Sequence, residues 1–556
     1  ISFVLLPEKP MMRRYFDRRV GYFNDRFNEY SDQQQRVNSK TFITRWRLEP
    51  RPEDVEKMRR GELVEPVKPI IYYIDPATPK QWRKYLIQGV NDWQVAFEAA
   101  GFKNAIRGEE WPENDSTMSM EDARYSCIRY LASDIENAYG PNVHDPRTGE
   151  IIESHICWYH NVMSLLHDWY MVQASSIDEA AQKMHFDEEL MGELIRFVSS
   201  HEVGHTLGLR HNFGSSSTVP VDSLRDKAWV EKHGHTPSIM DYARFNYVAQ
   251  PEDGLTRKGI FPRIGDYDIW AIKWGHTPML DARDEDEDHA MLEEKLMKPI
   301  YTGNKRLWWG DGEGYRGIDP RCQTEDLGDD AVRASEYGIK NLQREVKQLL
   351  KWTYDEKDIN NRNLGDMYNQ IAGQFMRYNG HVVGNIGRTF INFKAVNEEG
   401  DIYSLVPRDR QKRAMEYLDR HVFNEPTWLI DLPYMSRLTD EPVNWITRIG
   451  RSVISQLFNR ISQLNDLYPA TDLLTDLNTM LFRGKQGEYK AELQRTYVSL
   501  LITYYQNASV SDKNRGAYLM ALKALKAKVA GMGGDAKTRA HFASLNDAIE
   551  RALVIK

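Results

Sequence analysis

The residues best suited to chemistry lie between His201 and His211. His201 and His205 are four residues apart, so on a helix their imidazoles share one face, one turn apart. Glu202 is angled away from that pair and could act on a metal-activated water without binding the metal. Gly208 tolerates the left-handed conformation that ends a helix, and the reversal would return His211 to the metal. Three histidines with one open position predict a catalytic zinc site.

A second motif lies downstream of these residues, at Ser238-Ile239-Met240-Asp241-Tyr242. With the pattern H-E-x-x-H-x-x-G-x-x-H before it, the chain resembles the metzincin clan of zinc metallopeptidases, in which a methionine turn follows. The resemblance implies that Met240 lies beneath the metal as an apolar floor. It also implies that Tyr242 reaches the zinc or the oxyanion, as in the astacin and serralysin branches. Asp241 replaces the histidine of astacins and places the chain outside that branch.

A wider part of the chain, from Arg13 to Gly275, resembles a large bacterial family of zinc-dependent metalloproteases of the met-zincin type. The resemblance is close over roughly the first half and looser beyond. It implies export to the periplasm, cell surface or exterior of a bacterium. Because the chain begins with Ile1, we expect a processed or trimmed form, from which any export signal would have been lost upstream.

The elements that must position the site are predicted from hydrophobic periodicity and helix-capping residues. In chain order they are a buried strand, a helix, two strands and the histidine helix: Ile70–Ile74, Thr78–Ala100, Arg124–Leu131, Glu150–Tyr159 and Asp187–Leu207. This order matches the N-terminal half of a metzincin catalytic domain.

Ile151–Tyr159 is the candidate for an edge strand beside the cleft, because unpaired backbone groups can bind an extended peptide. On this prediction, Ile152, Ser154 and Ile156 contact the substrate. The alternative, an interior strand that makes only sheet contacts, stays open.

The length of 556 residues predicts two or three domains. We expect an α+β fold with a mixed twisted sheet, the active-site helix and the methionine turn in residues 67–278. Residues 1–66 form a β-rich extension or a pro-segment remnant, which could be inhibitory. Residues 279–556 form a large, mainly α-helical domain without a clean repeat.

Composition indicates which classes of partner the protein has. The net charge of −8 gives no sign of nucleic-acid binding, and no apolar run reaches about eighteen residues, the length of a transmembrane helix. We therefore expect a peptide or protein substrate, no nucleic acid and no transmembrane segment. The oligomeric state does not follow from the sequence.

Two further groups of residues invite weaker interpretations. Cys127 and Cys157 could pair across a sheet, but buried free thiols are favoured for these and for Cys322. Two runs of acidic residues could bind structural calcium. A solvated helix start explains the first run as well, and helix capping explains the second. These residues are Asp281–Asp288 in one run and Asp319, Asp326, Asp329 and Asp330 in the other.

The pattern as a whole predicts a zinc endopeptidase with Glu202 as general base and Tyr242 as a donor to the oxyanion. An exposed helix with histidines by chance is disfavoured by the full set of spacings. One alternative is a catalytically silent zinc-containing scaffold or binding protein of the cell envelope. The intact Glu202 argues against it. Another is a zinc hydrolase that acts on a non-peptide amide or ester.

Overall fold

The computed structural model describes residues 3–112, 114–301, 303–315 and 317–554. The chain divides into two compact units. The first comprises the described residues within Ile1–Arg316, Arg321–Asp330 and Phe393–Gly400, and the second those within Gly317–Pro320, Ala331–Asn392 and Asp401–Lys556. The predicted α+β class, with a large helical C-terminal region, is confirmed.

The strands of the first unit form three sheets. They are β1 (Asn24–Glu29), β2 (Asn38–Ile43), β3 (Arg45–Trp46), β4 (Ile70–Ile74), β5 (Ile106–Glu110), β6 (Ser126–Leu131), β7 (Ala138–Tyr139), β8 (Val143–His144), β9 (Glu150–Glu153) and β10 (His155–Tyr159). The main sheet has the order β5-β4-β6-β10-β7, in which only the β10–β7 pair is antiparallel. A β1–β2 hairpin and a β3-β9-β8 sheet complete the set. The main sheet is therefore mixed, as predicted.

Ten α-helices belong to the described part of the first unit. They are α1 (Val55–Arg59), α2 (Lys80–Asn91), α3 (Gln94–Ala99), α4 (Val162–Ala174), α5 (Glu188–Thr206), α6 (Lys227–His233), α7 (Arg257–Ile260), α8 (Asp266–His276), α9 (Glu285–Leu296) and α10 (Lys298–Tyr301). The helix predicted over Thr78–Ala100 is split between α2 and α3. One hydrophobic core includes residues from the main sheet and from α2, α4, α5 and α8.

The predicted edge strand requires a correction. β10 pairs with β6 on one side, and on the other β7 pairs with it at Cys157 and Trp158. Ser154 is 1% exposed and Ile156 is fully buried, while Ile152 lies on β9 in a different sheet. The interior alternative therefore describes β10, and the outermost strand on this side is β7. A two-residue strand gives too short a pattern to be recognised from sequence.

The N-terminal residues are built into the first unit. Tyr22 is fully buried and pairs with Leu209 through an antiparallel bridge. The buried guanidinium of Arg14 donates to the carboxylate of Asp288 on α9 at 2.8 and 3.0 Å, and to the carbonyl of Trp274 at 2.6 Å. The unit thus contains parts of all three predicted domains, whose boundaries at 66/67 and 278/279 remain predictions.

The second unit is mainly helical. Its helices are α11 (Ala331–Glu345), α12 (Leu349–Trp352), α13 (Arg362–Val383), α14 (Arg408–Leu418), α15 (Pro442–Asn459), α16 (Ala470–Met480), α17 (Glu488–Asn507), α18 (Arg515–Ala530) and α19 (Ala536–Val554). A short antiparallel hairpin, β11 (Thr389–Ile391) and β12 (Tyr403–Leu405), lies among them. In the described parts of both units, no helix is long and apolar enough to cross a membrane.

Candidate active site

Helix α5 presents the first part of the site. Its N-terminus is capped by the carboxylate of Asp187, which accepts from the backbone N–H of Leu190 at 2.9 Å, as the sequence predicts. Apolar residues along one side bury the helix in the core. The indole of Trp93 fixes the neighbouring backbone by donating to the carbonyl of Ser200 at 2.8 Å. The last turns of α5 are therefore rigidly held.

The end of α5 turns the chain back towards His201 and His205. Gly208 has a φ of +98°, and the N–H of Leu209 donates back to the carbonyl of Gly204 at 3.1 Å. This is the six-to-one hydrogen bond that ends a helix at a left-handed glycine. A Cβ at Gly208 would also lie 2.3 Å from the carbonyl oxygen of Thr44. Glycine is thus required for both conformation and space.

The reversal places the third histidine beside the first two. The ligating atoms of His201, His205 and His211 all lie within 4.8 Å of one another, and Nε2 of His205 is 3.1 Å from Nε2 of His211. Nδ1 of His201 lies 2.8 Å from the carbonyl oxygen of Ile239, and Nδ1 of His205 lies 2.9 Å from that of Leu209. A carbonyl only accepts, so each Nδ1 carries the proton and each Nε2 carries a lone pair.

These lone pairs fit a metal ion. Nε2 of His201 is buried without a hydrogen-bond partner, and the other two Nε2 atoms face each other. Their separation of 3.1 Å is close to the roughly 3.3 Å expected for two nitrogens bound to a tetrahedral zinc ion. Burial, and then the neighbouring imidazoles, lower the pKa of His201 well below its usual value, while burial lowers that of His205 to about 3. Neutral imidazoles are the form that binds metals.

Glu202 is almost entirely buried beside the histidines, with 7% of its surface exposed. Burial raises the pKa of its carboxyl to about 7, against the opposing effects of the Arg244 charge and the backbone N–H of Gly140. Gly140 directly follows β7, and a Cβ there would lie 2.7 Å from the Glu202 carbonyl oxygen. The outermost strand of the main sheet therefore ends against the carboxylate-bearing turn of α5.

The methionine turn lies under this arrangement. Met240 is fully buried, and its sulfur would be 2.2 Å from a Cβ at Gly204, the residue before His205. Asp268 at the start of α8 holds the turn, since its carboxylate accepts from the N–H of Ile239 at 2.7 Å and from the hydroxyl of Ser238 at 2.6 Å. The turn therefore fixes both the apolar floor and the carbonyl that orients His201.

Tyr242 lies at the edge of the histidine cluster. Its ring centroid is 4.5 Å from that of His211 and 5.2 Å from that of His201. On another side, the Arg244 guanidinium carbon lies 4.3 Å from the Tyr242 ring centroid and 3.4 Å from that of Trp169. Burial raises the pKa of Tyr242, so the phenol keeps its proton at neutral pH.

Two residues beside the site were missed by sequence reasoning. Glu313 lies with Oε1 2.7 Å from Nδ1 of His211, from a position 102 residues later in the chain. Arg244 has a left-handed φ of +56°, which is unusual for arginine. Only its position two residues after Tyr242 could have drawn attention to Arg244. Glu313 is surrounded by glycines in the sequence, but that pattern does not indicate which histidine it contacts.

The remaining candidates lie elsewhere. Cys127 and Cys157 are not paired in the structure, and the register places Cys127 opposite His155 on the neighbouring strand. Within the described residues, the histidine triad is the group able to hold a metal ion. In the acidic runs, Asp284 caps α9 and Asp329 accepts from the N–H of Val221 at 3.0 Å. Calcium at either run stays a prediction.

The histidine helix, the left-handed glycine and the buried methionine turn define the metzincin class of metal site. A family model described as Met-zincin matches residues 183–489, more than half of the chain. The chain belongs to the Met-zincin family, which implies zinc as the ion. A second model, described as a domain of unknown function, matches residues 1–51. No curated protein and no solved structure matches the chain.

Proposed function

We propose that the protein is a zinc-dependent endopeptidase that holds one catalytic ion with His201, His205 and His211. The observation that carries the proposal is the convergence of ring nitrogens from three histidines beside a buried glutamate. A bound zinc ion would supply Lewis-acid chemistry, by which it polarises a carbonyl group and lowers the pKa of water.

Glu202 is the proposed general base and acid. Its carboxylate would take a proton from the attacking water and deliver it to the nitrogen of the leaving amine. The raised pKa of about 7 favours both transfers near neutral pH, because neither protonation state is strongly preferred. Burial also keeps bulk water from competing for the proton.

Tyr242 is the proposed donor to the oxyanion of the tetrahedral intermediate. Its phenol keeps its proton, and its ring is held between the histidines and Arg244. A hydrogen bond that strengthens as negative charge develops lowers the barrier. Gly208 and Met240 take no part in proton transfer and support the ligand geometry.

The proposed substrate site is the outer edge of β7, on the side away from β10. This strand pairs antiparallel with β10, is outermost in the main sheet, and leads into Gly140 beside Glu202. An extended peptide can add to such an edge through its backbone, which favours peptides over other amides and esters.

N-methylation of single amides in a cleaved peptide would raise KM at the positions that pair with β7. If N-methylation changed KM equally at every position of the peptide, β7 would not be the strand that binds the substrate.

The central experiment compares cleavage of a mixed peptide library by the native chain and Glu202→Gln, with zinc content measured in both. Glutamine keeps the shape but accepts no proton, so we expect cleavage to fall by about 10² to 10⁴ fold at unchanged zinc content. Glu188→Gln, on the exposed first turn of α5, is the matched control and should cut normally. Zinc binding without cleavage by the native chain would favour the scaffold alternative.

The location of the protein is a separate proposal. We infer export from a bacterial cytoplasm, supported by the resemblance to exported bacterial metalloproteases. Fractionation of the source cells tests this, and recovery of the full-length protein solely in the cytoplasm would contradict it.

A further inference from the structure

The third histidine is supported differently from the other two. His201 and His205 each donate from Nδ1 to a backbone carbonyl. His211 instead faces a carboxylate, with Oε1 of Glu313 2.7 Å from its Nδ1. A carboxylate partner fixes the ring and its tautomer, and makes the opposite nitrogen a better electron donor to a metal.

Glu313 belongs to a glycine strap, residues 308–314, which crosses the ligand loop, residues 208–214. Asn212 joins the two segments, since its amide donates to the carbonyl of Trp308 at 3.1 Å and accepts from the N–H of Gly310 at 2.9 Å. The indole of Trp309 donates to the carbonyl of His211 at 3.0 Å. The strap therefore holds both the backbone and the side chain of the third histidine.

The carboxylate of Glu313 is itself fixed. Nη2 of Arg210, next to His211, lies 3.3 Å from Oε2 of Glu313 and 3.0 Å from Oδ1 of Asp311. Asp311 also accepts from the N–H of Glu313 at 3.0 Å. These contacts with Arg210 and Asp311 thus hold the Glu313 side chain where it faces His211.

The glycines let the strap lie directly on the loop. A Cβ at Gly312 would be 2.2 Å from the Phe213 ring, and one at Gly310 would be 2.7 Å from Cα of Gly214. Real Cβ atoms do not approach backbone so closely without a shift of the chain. The distance from Glu313 to His211 is therefore set by backbone packing.

We propose that Glu313 is a positioning residue that sets the metal affinity of His211, with the glycine strap as its support. The inference rests on the proposed metal site, but not on catalysis by it. A carboxylate beside one of three neutral ligands also offsets part of the double positive charge of the ion.

The test measures zinc binding by Glu313→Gln and Glu313→Ala in the full chain, by competition with a chelating dye. Removal of such a partner weakens metal affinity by about 10- to 100-fold, and we expect alanine to cost more than glutamine, which keeps a neutral acceptor. Glu293→Gln is the matched control, because Glu293 is also a partly buried glutamate paired with an arginine. Its zinc Kd should be unchanged.

Two further readouts separate positioning from folding. The thermal midpoints of the metal-free variants should equal that of the metal-free native chain, and the visible spectrum of the cobalt-loaded Glu313→Gln chain should shift. If alanine prevents folding, the glutamine variant decides the question. A zinc Kd within twofold of the native value in the folded variants overturns the proposal. A native chain that binds zinc but cuts nothing rejects the peptidase and leaves this inference standing.

Discussion

At the scale of single residues, the site depends on groups whose pKa values are shifted by burial. His201 and His205 are neutral, and Glu202 has a carboxyl pKa near 7 because it is buried. These shifts belong to side chains at one end of α5. They are typical of a site built for proton transfer and metal binding.

Tyr242→Phe removes the proposed donor and leaves the ring in place. We expect kcat to fall by about 10² fold with zinc content unchanged, because one oxyanion donor is lost. Steady-state kinetics on a cleaved peptide, with metal analysis, provides the measurement. A normal kcat would show that Tyr242 packs against the histidines without taking part in the reaction.

Asp241 gives a pH prediction that does not involve the metal ligands. Burial raises its pKa to about 8, despite hydrogen bonds from Ser216 and Thr236. Between about pH 4 and 8 the unfolded chain loses this proton and the folded chain keeps it, so stability falls as pH rises through that window.

Asp241→Asn removes this titration. The thermal midpoint of the variant, relative to the native chain, should therefore increase from pH 5 to pH 8. The comparison of two chains at each pH cancels the other titrations. A constant difference across this range would contradict a protonated Asp241.

At the scale of elements, the important feature is how α5 ends. Gly208→Ala combines a left-handed φ with a Cβ 2.3 Å from the Thr44 carbonyl oxygen. We therefore expect the free energy of unfolding to fall by more than about 2 kcal/mol. Gly531→Ala, at the end of α18, has a negative φ and ample space and should change little. Urea unfolding of both variants tests this. Equal stabilities would mean that the turn relaxes around a side chain.

The N-terminal segment before β1 is a second element whose contribution to stability can be tested. Arg14→Ala leaves the buried carboxylate of Asp288 without its arginine partner. We expect the free energy of unfolding to fall by about 3 to 5 kcal/mol. Arg283→Ala removes an exposed arginine that pairs with Glu287 on the same helix α9, and it should cost far less. If Arg14→Ala were as stable as the native chain, this buried ion pair would contribute no net stability.

At the scale of the whole molecule, zinc should act on one unit. Binding to the folded site alone stabilises by about 4 kcal/mol at a thousandfold excess of free zinc over Kd. We expect chelation to speed hydrogen exchange in the last turn of α5 and the ligand loop, and to leave α15–α19 unchanged. His205→Ala is the control, and its exchange should not respond to zinc. Equal changes in both units would contradict a single local site.

The sequence by itself was sufficient to predict α5 and the clustering of the three histidines that could hold a metal ion. His201, His205, Glu202, Gly208 and His211 lie within eleven residues, and their relation follows from helix geometry and one left-handed turn. The helical C-terminal half was also predictable, because periodic apolar residues mark each helix.

Only the tertiary structure decided what surrounds these histidines. Glu313 contacts His211 from 102 residues away, and β7, too short for a pattern, replaces β10 as the outermost strand. The burial that raises the pKa of Glu202 is likewise a property of the packed core. Local spacing determines which atoms can share a helix face, whereas the partners of those atoms come from distant segments brought together by folding.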